Sequence, residues 1–124
     1  MKVAVALLVI LPATALAERQ VVDNNAAITI DCAKDKEVSL IGNNLTVTLV
    51  GTCTRVNVTG NKETVKGSAT TFFIAGNHNT VTANETDEIS VSGSHNTVTW
   101  KKGASKASPD VKNPGKDNKV SQAR

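Results

Sequence analysis

The sequence predicts an all-β chain: a short parallel β-solenoid (β-helix-like), two strands per coil of about 17 residues, with about five to six coils. Three observations carry this reading. The phrases G-N-H-N-T-V-T-A from Gly76 and G-S-H-N-T-V-T-W from Gly93 are near-copies seventeen residues apart. Glycines at 42, 60, 76, 93 and 115 are each followed five residues later by valine, at Val47, Val65, Val81, Val98 and Val120. Four and two residues before the first four of those glycines stand apolar pairs: Val38 and Leu40, Val56 and Val58, Phe72 and Ile74, Ile89 and Val91. The fifth glycine keeps Val111 but has Asn113 as its second member.

A unit of this kind reads as a strand ending at the glycine, a turn, and a second strand centred on the valine. Stacking the units in parallel and in register puts the two positions before glycine and the valine after it on the inside, with coils about 4.8 Å apart and facing sheets about 10 Å apart. Aromatic residues are only 2% of the chain, so such a core is aliphatic.

The chain opens with Lys2, an apolar run from Val3 to Leu11, and Ala15-Leu16-Ala17 before Glu18, the pattern of a cleaved signal peptide over residues 1–17. That run is shorter than the roughly 20 residues a spanning helix requires, and no later segment approaches it, so the mature protein is expected not to span a membrane. Residues 18–26 are polar and without period and read as an N-terminal arm. The solenoid domain is expected over 27–122, with Ile28-Thr29-Ile30 as an incomplete leading layer, 109–122 as a capping coil, and 123–124 as a tail.

Two cysteines in a secreted chain allow one pairing, Cys32 with Cys53. Their separation is a little over one repeat, which places them in neighbouring coils. Neither lies in a C-x-x-C motif or near a histidine, which argues against a thiol metal or redox site.

At the turns, glycine is expected to supply a backbone conformation that other residues resist. Three residues further on the chain reads Leu45, Glu63, Asn79, Asn96 and Asn118, so the later asparagines are expected to form a ladder bonding from coil to coil. Thr46, Thr48, Thr80, Thr82, Thr97 and Thr99 flank the valines on an outward face, and Lys66 interrupts the array. On the other outward face, three residues before each glycine, stand Ser39, Asn57, Phe73, Ser90 and Lys112. Phe73 is the large apolar residue there and a candidate anchor for a partner or a second copy of the chain. His78 and His95 both stand two residues after their glycines, which brings them to one turn edge. They form a weak candidate metal pair, lacking further ligands and placed beside Lys62 in the same column.

After Trp100 the last residues carry seven basic groups (Lys101, Lys102, Lys106, Lys112, Lys116, Lys119, Arg124) against Asp110 and Asp117. Such an excess attracts anionic polymers. Nucleic acid is disfavoured, since one tryptophan, two phenylalanines and no tyrosine provide little stacking platform.

The succession I-T-I-D-C, V-S-L-I-G-N-N-L-T-V-T-L-V-G-T-C, V-N-V-T-G-N and I-S-V-S-G-S-H-N-T-V-T-W, closing on P-x-V-x-N-x-G-x-x-N-x-V, resembles the bacterial secreted domain-of-unknown-function family number 3060 from Ile28 to Val120. The resemblance implies a secreted or envelope domain for which no activity or active-site residues are established. Phe72-Phe73 and Lys66 depart from its plainer Thr and Val pattern.

Catalysis finds no motif. Asp87, Glu88, Asp110 and Asp117 fall at turns and strand starts without a paired acid at a useful spacing, and no G-x-S-x-G is present. The expectation is a secreted or periplasmic, non-enzymatic structural or interaction module of the bacterial cell envelope, without cofactor. Its expected partner is an envelope protein or polysaccharide, and a homo-oligomer is open to it. A carbohydrate-active or carbohydrate-binding β-helix protein is the alternative class, and an ice-binding protein the second.

Overall fold

The computed structural model describes residues 18–123, so the signal-peptide reading of 1–17 and the last tail residue lie outside the described residues. Among the described residues there are ten strands: β1 (Glu18–Val21), β2 (Ala27–Asp31), β3 (Glu37–Leu40), β4 (Thr46–Val58), β5 (Thr64–Ile74), β6 (Thr80–Glu85), β7 (Glu88–Val91), β8 (Thr97–Lys102), β9 (Asp110–Lys112) and β10 (Lys119–Gln122). Every pairing between them is parallel.

The register follows the glycine marks. Val47 pairs Val65, Val65 pairs Val81, and Val81 pairs Val98. On the other side Val38 pairs Val56, Val56 pairs Phe72, and Phe72 pairs Ile89. All of these are buried, and with Leu40, Val58, Ile74 and Val91 they fill the space between the two faces. Columns of Val and Ile suit this packing because a β-branched side chain sits well on a pleated surface against its copy in the next coil. The chain is an all-β solenoid of about six turns.

One face stacks β1, β3, the second half of β4, the second half of β5, β7 and β9. The opposite face stacks β2, the first half of β4, the first half of β5, β6, β8 and β10. In the second and third coils the return between faces is itself strand, so β4 and β5 run round the corner and join both faces into one ten-stranded sheet.

Residues 18–26 are not an arm. Glu18–Val21 forms β1 in register with Glu37–Leu40, and Asn24 bridges Asn43. The first coil is therefore complete, with Asp23 in the glycine place and Ile28 in the valine place. It lacks the glycine and the valine that mark the later coils.

The role expected for the repeated glycines is also corrected. Their φ angles are not positive; the residue two positions later adopts the left-handed conformation instead, at Asn25, Asn44, Lys62, His78, His95 and Asp117, with φ of 57–60°. In the five coils that have one beneath them, a Cβ at the glycine mark would strike the carbonyl of the coil below: Asp23 under Gly42, Gly42 under Gly60, Gly60 under Gly76, Gly76 under Gly93 and Gly93 under Gly115. Glycine is required here for close approach of two backbones. Asp23 keeps its Cβ because no coil lies beneath it among the described residues.

Cys32 and Cys53 form a disulfide between the first and second coils, with Cα atoms 4.7 Å apart, and both are buried. The last coil is the most exposed. Val111 is 43% exposed and Val120 only partly buried, since β9 and β10 pair on one side alone.

Candidate functional site

The repeating turn edge is where the polar chemistry of this chain concentrates. Three columns run up it, one, two and three residues after the glycine mark. In the first, Asn24, Asn43, Asn61, Asn77, Ser94 and Lys116 are bridged in succession. Asn61 Nδ2 donates to Asn43 Oδ1 at 3.2 Å, and Ser94 Oγ donates to Asn77 Oδ1 at 2.7 Å. This exposed ladder is not apparent from the sequence, because its asparagines overlap the phrase that marks the turn itself.

In the second column the left-handed backbone aims each N–H at the coil above. Lys62 N–H donates to Asn77 O at 3.0 Å, His78 N–H to Ser94 O at 3.1 Å, and His95 N–H to Lys116 O at 3.3 Å. The cost of left-handed geometry at Lys and His is thus offset by a hydrogen bond to the coil above.

The structure brings His78 and His95 together as the register requires, their ring centroids 5.0 Å apart and planes within 5°. His95 Nε2 lies 3.7 Å from Asp117 Oδ2 in the next coil. Ring-nitrogen lone pairs lie in the ring plane, so two parallel stacked rings direct them side by side rather than at one point. No group of three or more His, Cys, Asp or Glu side chains is gathered around a common point among the described residues.

The third column is buried from Leu45 through Glu63 and Asn79 to Asn96, and half-buried at Asn118. Asn79 Oδ1 accepts the Glu63 N–H at 2.8 Å while Asn79 Nδ2 donates to Gly60 O at 3.0 Å. Asn96 repeats this on Asn79 and Gly76, and Asn118 on Asn96 and Gly93. The asparagines do bond from coil to coil, but to the backbone of the coil below rather than to one another. Glu63 stands in the same column fully buried, with neither carboxyl oxygen hydrogen-bonded, and burial pushes its carboxyl up to about 7.

Asp87, at the opposite edge, holds the loop that precedes the last coil. Its Oδ1 accepts N–H groups of Ala104, Ser105 and Lys106, and its Oδ2 accepts the Ser105 hydroxyl at 2.6 Å. The Ser105 hydroxyl and N–H lead in lowering its pKa below the usual carboxylate value. Asp87 is a clamp on its own chain.

Of the two outward faces, one carries Thr46, Thr64, Thr80 and Thr97 in one column and Thr29, Thr48, Lys66, Thr82 and Thr99 in the next. The other carries Phe73, 38% exposed between Asn57 and Ser90, with exposed Val22 and Ile41 in the column nearest the turn. Ion pairs tie Lys102 to Glu85, Lys106 to Asp110 and Lys112 to Glu88, so part of the basic excess at the last coils is matched locally. Among the described residues no helix is long and apolar enough to cross a membrane.

Residues 61–117 match the family model described as Protein of unknown function (DUF3060). Those residues are similar to that family. The DUF3060 stretch begins at Asn61 in the third turn and ends at Asp117 in the last, taking in Glu63, Phe73, both histidines and Asp87 but neither cysteine. No curated protein and no solved structure gives a significant match.

Proposed function

We propose that the protein is a secreted or periplasmic, non-enzymatic module of the bacterial cell envelope, with its flat faces as interaction surfaces for an envelope protein or polysaccharide. The observation that carries this reading is the register of the outward columns, which repeats short hydroxyl groups coil after coil on the Thr46 to Thr97 face. A periodic polar face fits a partner that is itself periodic. The buried Cys32–Cys53 disulfide is compatible with an oxidising compartment outside the cytoplasm, and the N-terminal pattern of Lys2, the apolar run and Ala15-Leu16-Ala17 agrees with export. Phe73 marks the opposite face as the one for a protein partner or a second copy.

The test is a binding screen of the purified protein against envelope polysaccharides, read for both retention and product release, with a parallel capture from an envelope fraction. Retention without product release, lost on Thr80→Lys with Thr82→Lys, supports the polysaccharide arm. Loss of a captured partner on Phe73→Ser supports the protein arm. Release of shortened product would replace the reading with a carbohydrate-active one.

A further inference from the structure

Glu63 replaces, at one buried level, the asparagine that closes each of the three turns above it. Asn79, Asn96 and Asn118 each do two things for the coil below: the carbonyl oxygen accepts an N–H, and the amide nitrogen donates to a glycine carbonyl. For Glu63 the corresponding groups are the Leu45 N–H and the Gly42 carbonyl. Glu63 Oε2 and the Gly42 carbonyl oxygen both crowd the point where a Gly60 Cβ would stand, so the two oxygens lie against each other. Asn79 Nδ2 and Asn118 Nδ2 take that same place beside Gly76 and Gly115.

An ionised carboxylate is acceptor-only and would set a negative oxygen against a carbonyl oxygen in a dry site. A neutral carboxylic acid has one O–H and one C=O, the same donor and acceptor pattern as an amide. We propose that Glu63 is a proton-operated latch: its neutral acid closes the turn between the second and third coils as asparagine does in the coils above, and loss of the proton releases it. The O–H, on the oxygen that lies beside Gly42 O, is the donor that this carbonyl otherwise lacks.

The surroundings offer the anion no compensation. The turn below, Gly42 to Leu45, has no charged side chain, and Asn79 above is neutral. The charged or titratable neighbours, Lys62 in its own turn and His78 in the turn above, sit exposed in the adjacent column. Desolvation places the folded carboxyl at about 7 against an ordinary 4.5. A carboxyl raised on folding contributes stability that is fully present below the unfolded value and is lost as pH rises through the folded one. The latch is shut in mildly acidic surroundings and opens between about pH 5 and 8, loosening the junction between the disulfide-bonded first coils and the DUF3060 stretch.

The experiment is urea unfolding of the purified, disulfide-intact protein from pH 5 to pH 8, alongside Glu63→Gln, whose amide donates and accepts at every pH. The unfolding constant of the native sequence should rise, relative to the variant, by on the order of a hundredfold across that range. Parallel profiles would overturn the proposal. A second readout needs no variant: the side-chain carboxyl carbon of Glu63, followed by carbon-13 NMR, should titrate with a midpoint near 7. A midpoint near 4.5 would overturn it equally, and this readout alone decides if Glu63→Gln does not fold.

Discussion

Asn96 holds Asn79 from one coil above, its Oδ1 accepting the Asn79 N–H at 2.9 Å while its Nδ2 donates to the Gly76 carbonyl at 2.9 Å. Both backbone groups are inside, where water does not replace a lost partner. Asn96→Ala should therefore destabilise the protein by about 2–4 kcal/mol, the cost of one buried donor and one buried acceptor left unpaired. Asn118→Ala should cost less, because its column position in the last coil is partly exposed. Equilibrium denaturation of the two variants checks the order.

The glycine marks separate two uses of glycine that are easily confused. At Gly76 a Cβ would collide with the Gly60 carbonyl, a backbone atom fixed by the coil below. Gly76→Ala should cost about 3 kcal/mol or more, or prevent folding, since neither partner has room to shift. Gly51 has φ of 83° but open space around it, the nearest atom being the Cys32 Cβ at 3.9 Å. Gly51→Ala should cost only about 1–2 kcal/mol, the left-handed penalty alone. Equal losses in thermal or urea unfolding would contradict this distinction.

The coil spacing, the inward Val and Ile columns, the disulfide and the meeting of His78 with His95 were all legible in the sequence, because each depends only on period and register. The first coil was not, since Asp23 and Ile28 stand where the phrase has glycine and valine, and among the described residues no coil lies beneath Asp23 to exclude a side chain there. Left-handed geometry at Lys62, His78 and His95 was equally hidden. Lysine does not favour it and histidine visits it only as a minority conformation, whereas each N–H here gains a hydrogen bond to the next coil. Glu63 could be placed in the asparagine column by counting, but its burial follows from the whole stack.

The Cys32–Cys53 bond should be worth about 3 kcal/mol to the folded chain, by the loop it closes in the unfolded state. Reduction, or the double substitution to alanine, should lower the urea midpoint without changing the register of the later coils. Amide exchange would show the loss of protection concentrated in the first two coils. Uniform loss along the chain would mean that the solenoid melts as one unit.

Asp87 gives a pH dependence of opposite sign to that of Glu63. Its carboxyl is held below the ordinary value by the Ser105 hydroxyl and the loop N–H groups, so the stability it contributes is present above about pH 4 and is lost as pH falls through its lower folded value. Asp87→Ala should free residues 103–107 at neutral pH, seen as faster amide exchange at Ala104, Ser105 and Lys106. Unchanged exchange there would show that the loop is held by other contacts.

Parallel in-register stacking is the claim on which the faces, the ladders and the latch all depend, and a distance across two coils tests it most directly. Asn57, Phe73 and Ser90 occupy one outward position in three successive coils. Spin labels at Asn57 and Ser90, read by dipolar broadening, should report backbones separated by about 10 Å, twice the spacing of neighbouring strands. A separation well beyond about 15 Å, more than three such spacings, would contradict the solenoid.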